Sequence, residues 1–313
     1  MALSTAAAKA KLRSLKIKFD NKVKATTPIY SRLCTVVNSD GADEEYGMLG
    51  SVPAIREWLG DRKFHSVRAA SFTIENKHWE SSVSVPKTAI RDDRLGLYDS
   101  LVENLAVRAA RHPDKLLLSD LITNATSQTC LDGQFFFDTD HSWGESGSQS
   151  NDLTDSVVDK DAPTVTEFNG LLSACIQAML NFKDDHGEFL HDDAVMDMES
   201  GMQLICMVPL KYLEVARKAT SVGLRVDGGD THVPVVTADV MASPHITGDY
   251  FDLYRVDQPV RPFVFQAREP LSRRTKGLED IEWKDVKLMT EARYNVGYGA
   301  WWNATRMTIT TAS

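Results

Sequence analysis

The sequence predicts an α+β fold in which a globular body carries long extensions, and three observations lead there. A lysine-rich helical pattern occupies the N-terminus and is followed by a charged, glycine-punctuated stretch. Beyond them, helix-period and strand-period segments are mixed rather than repeated in βαβ order, and the chain ends in strands. The 313 residues are 42% hydrophobic and 25% charged, an ordinary globular composition with length for about two domains.

The elements follow in order. Residues 2–24 read as a helix, with the strong helix formers Ala6, Ala7, Ala8 and Ala10 and with Leu12, Leu15 and Phe19 three and four apart. Thr26-Thr27-Pro28 ends it. From Asp40 to Asp61 Gly41, Gly47, Gly50, Pro53 and Gly60 interrupt short apolar pieces, so this stretch reads as an extended excursion with Trp58 near its far end. Ala69–Ile90 alternates as a half-buried strand does.

Leu97, Leu101, Leu105 and Ala109 then recur every fourth residue, predicting the longest helix of the chain, which Pro113 either kinks or restarts on its way to Asn124. Phe135-Phe136-Phe137 leads into Gly144–Asp152, a Gly/Ser-rich segment expected to be mobile. Thr166–Phe182 is a second helix, with Thr164 or Thr166 as its N-cap. Lys183–Asp193 reads as a solvated acidic loop. Leu204–Val208 is a buried-type strand stopped by Pro209, and Leu210–Thr220 a short helix. Val233–Val236, Tyr250–Val256, Phe263–Gln266, Val286–Met289 and Arg306–Ile309 are the remaining strands.

Charge narrows the function. The chain carries −9, which excludes a general nucleic-acid binder, but residues 1–32 hold eight basic groups and one acid. That arm is +7 and the remainder −16, so the arm is expected to meet an acidic partner. It cannot place its charges inside its own subunit, and Lys9, Lys11, Arg13, Lys16 and Lys18 are therefore expected at contacts between subunits. Arg56, Glu57, Trp58 and Arg62 of the excursion are expected there too, with Trp58 as the aromatic anchor. No apolar run is long enough for a signal peptide or a membrane helix.

Catalytic motifs are missing: there is no GxSxG elbow, GxGxxG loop or Walker-type phosphate loop. Cys34, Cys130, Cys175 and Cys206 lie far apart without zinc spacing and are expected as free thiols. A calcium loop starting at Asp138 fails, because its sixth and twelfth positions are Trp143 and Gln149. His186 and His191 are five apart, not the four of a zincin helix, and the other histidines stand alone. No catalytic residue, cofactor or metal is expected.

Several runs resemble one family. Tyr46-Gly47-Met48-Leu49-Gly50, Pro53 and Arg56-Glu57-Trp58-Leu59-Gly60-Asp61-Arg62 are similar to the YGWLG…P…EWxGxR run of the Mu-like major head subunit (gpT) family. So are Phe72–Lys77, Arg91-Asp92-Asp93 with Leu95–Tyr98, Cys130–Phe137 with Asp140-His141, and Ala292–Gly299. The resemblance implies the Hong Kong 97-like capsid fold. It would make 1–40 an N-terminal arm, 41–70 the E-loop, 71–163 a peripheral domain with a spine helix, 164–260 an axial domain, and 261–313 the return to the peripheral domain.

It also implies a major capsid protein of a tailed bacteriophage, assembling with itself as hexamers and pentamers into an icosahedral shell. The expected partners are a scaffolding protein, a portal, packaged double-stranded DNA on the inner face and a decoration protein, with no membrane. The expected place is the virion, after assembly in the host bacterial cytoplasm. The rival readings are an encapsulin-like bacterial compartment shell and a soluble enzyme of no recognised motif.

Overall fold

The computed structural model describes residues 5–49, 69–88, 95–191, 202–221, 225–227, 230–232, 237–276 and 284–312. Helix α1 (Thr5–Ala25) and the single turn α2 (Tyr30–Leu33) lead into β1 (Cys34–Asn38). Strands β2 (Asp43–Leu49) and β3 (Ala69–Glu75) pair antiparallel as a two-stranded ribbon. Next come β4 (Lys77–Pro86), helix α3 (Leu95–Ala110), the turn α4 (His112–Lys115) and a π-helical turn, Leu116–Ile122.

The second half holds β5 (Asp152–Val157), α5 (Val165–Leu180), β6 (Leu204–Val208), a 3-10 turn (Leu210–Tyr212) and α6 (Leu213–Thr220). After the hairpin β7 (Arg225–Asp227) and β8 (Asp230–His232) come β9 (Asp239–Ala242), β10 (Tyr250–Arg255), β11 (Phe263–Lys276), β12 (Asp285–Tyr298) and β13 (Ala304–Thr311).

Two larger sheets organise these strands. One has the order β1-β11-β12-β4, the other β5-β13-β10-β6-β9. Strand β12 shows why the first sheet holds. Its side chains alternate without a break, so Val286, Leu288, Thr290, Ala292, Tyr294, Val296 and Tyr298 all face inward. The main core lies between the five-stranded sheet, α5, α6, the π-helical turn and the far ends of β11 and β12. A second, smaller core joins Leu15 and Phe19 of α1 to Val102, Leu105 and Ala106 of α3 over Val85, Val286 and Leu288.

Local chemistry sets the boundaries. Thr164 caps α5 by accepting from the Glu167 amide while the Glu167 carboxylate accepts from the Thr164 amide, a complete capping box. Val165, Phe168, Leu171, Leu172, Cys175, Ile176 and Met179 form the buried face of α5. Pro113 restarts the helical path rather than kinking it: Arg111 leaves helical geometry at φ −94°, ψ 2°, and Pro113 stands in the first turn of α4. The widened turn that follows buries Leu116, Leu117, Leu118, Leu121 and Ile122 together.

Four expectations are corrected. Among the described residues the longest single helix is α1 with 21 residues, not α3 with 16, because Arg111 interrupts the latter. Leu101 stands 41% exposed, since the inward stripe of α3 runs through Val102, Leu105 and Ala106. Gly144–Asp152 is not a mobile segment: the Gln149 amide donates to the His141 carbonyl, and the buried Asn151 is hydrogen-bonded on every side. Lys183–His191 is only partly a solvated loop: Lys183, Glu188 and Phe189 are exposed, but Asp184, Asp185 and His191 are buried. The strand expected at Val233–Val236, and the residues 192 and 193 ending that loop, lie outside the described residues.

Candidate functional site

The basic arm is seated on its own subunit. Leu15 and Phe19 are 1% and 5% exposed against α3 and β12, and burying two such side chains favours docking by about 1.5–3 kcal/mol each. Charges follow the apolar contact: Lys18 pairs with Asp99 of α3, and Asp20 with Arg273 of β11. The Arg273 guanidinium holds the Asp20 carboxyl below its usual range despite some desolvation.

The expectation that no arm charge can settle within the subunit is therefore corrected at Lys18, whose partner Asp99 lies 81 residues away in sequence. Arg13, Lys22 and Lys24 remain exposed, and Lys16 is half-buried. Lys9 and Lys11 lie in the same helix.

The arm's exit is pinned as firmly. Buried Asp114, in the first turn of α4, accepts from the backbone amides of Ile29 and Tyr30 at 2.8 Å each, so it caps α2 from another part of the chain. Desolvation raises the Asp114 carboxyl, and the two amides oppose that shift. Arg32 then pairs with Asp239 of β9.

The β2–β3 ribbon has a built base. Tyr46 stacks on Phe72 with ring centroids 5.2 Å apart and donates its hydroxyl to Gln266 Oε1 at 2.7 Å. Gln266 in turn donates to the Ile74 carbonyl. At the start of β2, Glu44 accepts from the Gly41 amide, the Ser39 hydroxyl and the Asp40 amide, which together hold its carboxyl below the usual range. Gly297 is needed beneath the ribbon: a Cβ there would stand 2.4 Å from Ile74 Cδ1. Arg56, Glu57, Trp58 and Arg62 lie outside the described residues.

A third constellation escaped the sequence reasoning. Cys130, Asp132 and His141 come together beneath Trp301, with the His141 ring stacked at 3.9 Å and 5°. His141 is 0% exposed, so Asp138–Ser142 is not simply a polar turn, and the expectation of no metal-ligating group meets a three-donor cluster. His141 Nδ1 lies 2.7 Å from Asp132 Oδ2, and the Cys130 thiol donates to Asp132 Oδ1 at 3.2 Å. Burial alone would raise the Asp132 carboxyl, but the contacts with His141, Cys130 and the Gln134 amide more than offset it and hold it low.

The Cys-x-Asp spacing was the available signal, and the turn at residues 130–133 brings the two side chains together. His141 arrives only through tertiary folding. His191 is likewise enclosed, between the Trp302 carbonyl at 3.0 Å and Arg255 at 2.9 Å.

The family model described as "Mu-like prophage major head subunit gpT" matches residues 9–166, just over half of the chain. The chain belongs to that family. Among curated proteins it is similar to the Mu-like prophage FluMu major head subunit of Haemophilus influenzae, 37% identical over 140 residues and covering 45% of each chain. It is also similar to the major capsid protein of Escherichia phage Mu, 31% identical over 173 residues and 55% of each chain. The matches thus span about half the length of these relatives.

Among solved structures, a chain in the procapsid of bacteriophage JBD30 superposes with a TM-score of 0.56 at 22% identity, covering 99% of this chain and 77% of that one. The fold of this chain is accordingly the Hong Kong 97-like α+β fold of phage capsid chains. Among the described residues no helix is long and apolar enough to cross a membrane.

Proposed function

We propose that the chain is a major capsid subunit of a tailed bacteriophage, whose copies close as hexamers and pentamers into an icosahedral shell around double-stranded DNA. The observation that carries this reading is the match to the head-subunit family over residues 9–166. The same span contains the arm, the ribbon and α3. In a closed point-group assembly each copy must bury part of its surface on others.

In this reading residues 1–40 act as the arm, 41–70 as the E-loop, 71–163 and 261–313 as the peripheral domain, and 164–260 as the axial domain. Lys9, Lys11, Arg13 and Lys16 face neighbouring copies, as do Arg56, Glu57, Trp58 and Arg62. Scaffolding protein, portal and a decoration protein complete the particle, which forms in the host cytoplasm. The protein is structural and performs no catalysis. The acidic body, −16 outside the arm, keeps the inner wall from gripping packaged DNA.

Size-exclusion chromatography with negative-stain microscopy, with and without co-expressed scaffold, tests the reading. Capsomers or megadalton shells are expected. Elution only as a small oligomer under both conditions would overturn it.

A further inference from the structure

Three donor atoms converge beside the turn at residues 130–133: Cys130 Sγ, an Asp132 carboxylate oxygen and a His141 ring nitrogen, all within 4.8 Å of one another. The turn is rigid. Gly133 adopts a φ of 85°, the Cys130 amide donates to the Gln134 carbonyl at 2.7 Å, and the Gln134 amide donates to Asp132 Oδ1 at 3.2 Å. His141 is held from above by Trp301 and is wholly buried.

The hydrogen bonds around Asn151 fix which ring nitrogen carries hydrogen. Asn151 Nδ2 donates to the Phe136 carbonyl at 2.8 Å and the Trp301 carbonyl at 3.3 Å, while its Oδ1 accepts from the Asp138 amide at 2.9 Å. That Oδ1 also faces His141 Nε2 at 3.2 Å, so Nε2 must be the protonated nitrogen. A neutral ring then presents a lone pair at Nδ1, yet Nδ1 stands 2.7 Å from Asp132 Oδ2, another lone pair. A positive charge has to lie between them, either a proton or a metal ion.

We infer that Cys130, Asp132 and His141 Nδ1 form a three-donor site for a divalent ion of the zinc type. A sulfur, a nitrogen and a carboxylate oxygen are zinc's ordinary donors, at about 2.0–2.3 Å, with a water able to take the fourth tetrahedral position. Giving Nε2–H to Asn151 while Nδ1 binds the ion is the orientation that a second hydrogen bond imposes on metal-binding histidines. Thiolate and carboxylate together neutralise the ion, so no net charge is left in a buried place. Binding releases two protons, the Cys130 thiol proton and the one between Nδ1 and Oδ2. The Nδ1–Oδ2 pair opens to about 3.3 Å, the edge of a tetrahedron with bonds of about 2.0 Å. The site would tie the 130–141 segment, through His141 and Asn151, to the turn that starts β13.

The test uses the full-length chain purified without chelator. Zinc is measured by mass spectrometry, and cobalt is titrated into protein stripped of metal. Roughly one ion per chain is expected, with the near-ultraviolet charge-transfer band that marks a thiolate bound to cobalt. Cys130→Ser keeps a hydroxyl to donate to Asp132, so its circular dichroism should match the wild type, while the band disappears and affinity falls at least about tenfold. His141→Gln should also lose the ion. A folded wild type that takes up no more zinc or cobalt than Cys130→Ser, or that binds cobalt without the thiolate band, would overturn the proposal and leave a proton between Nδ1 and Oδ2.

Discussion

Arg306 of β13 and Asp252 of β10 form a buried, two-pronged ion pair, with Nε to Oδ1 at 2.7 Å and Nη2 to Oδ2 at 2.9 Å. Further contacts hold the pair: Nη2 also donates to the Ile122 carbonyl at 3.0 Å, the Tyr254 hydroxyl donates to Asp252 Oδ2, and the guanidinium lies over Phe137 and Tyr250. Arg306→Leu should cost about 3–5 kcal/mol, because it strands a carboxylate in the core. Asp252→Leu combined with Arg306→Leu should recover much of that loss. Urea unfolding of the single and double variants measures both, and a double variant as unstable as the single one would refute the stranded-charge explanation.

Phe19→Ala should release the arm without unfolding the body. Phe19 belongs to the small core and not to the main one, and its truncation is expected to cost about 3–5 kcal/mol of local packing. Limited trypsin digestion should cut faster at Arg13, Lys16 and Lys22, while far-ultraviolet dichroism loses no more than the signal of one helix.

The capping box of α5 should titrate. Glu167 accepts from the Val158 and Thr164 amides and the Thr164 hydroxyl, and these hold its carboxyl below its ordinary value of 4.5. A lowered folded value means that the contribution is complete above about pH 4.5 and fades as pH falls through the folded value. Glu167→Gln should remove this part of the acid dependence. Thr164→Ala should cost about 1 kcal/mol at neutral pH, read from thermal unfolding.

The arm's exposed charges should govern assembly, not folding. Replacing Lys9, Lys11, Arg13, Lys16 and Lys18 with Gln keeps helix propensity and sacrifices one intramolecular pair, Lys18–Asp99, worth about 0–1 kcal/mol when partly exposed. The variant should fold yet assemble poorly or into misshapen particles, most visibly at low salt. Normal particles across a salt series would assign the arm's charge to solvation alone.

Trp58→Ala should leave the subunit's dichroism unchanged and lower the heat resistance of assembled particles, with about 2 kcal/mol or more lost per contact. Loss of subunit folding would move Trp58 to the subunit's own core.

Element types were legible in the sequence wherever burial follows a local period. The face of α5 with its Thr164 cap and the apolar run of β6 can each be read over a single turn or strand. The full length of β12 was also written there, in the alternation from Val286 to Tyr298, although its polar neighbours disguise all but the first four residues. Family-like runs in order made the fold itself legible.

Tertiary structure alone decided what the polar residues do. Nothing near Asp114 in sequence shows that it caps a helix 84 residues earlier, nor does anything near Lys18 announce Asp99. Gly144–Asp152 and Lys183–His191 look solvated because they are rich in Gly, Ser, Asp and His. Yet Asn151, His191 and the neighbouring His141 are buried, because other parts of the chain satisfy them: the Trp301 and Trp302 carbonyls for Asn151 and His191, and the Asp132 carboxylate for His141. Composition reports the cost of burying a polar group, but whether a partner meets that cost depends on contacts that only the closed chain brings within hydrogen-bond distance.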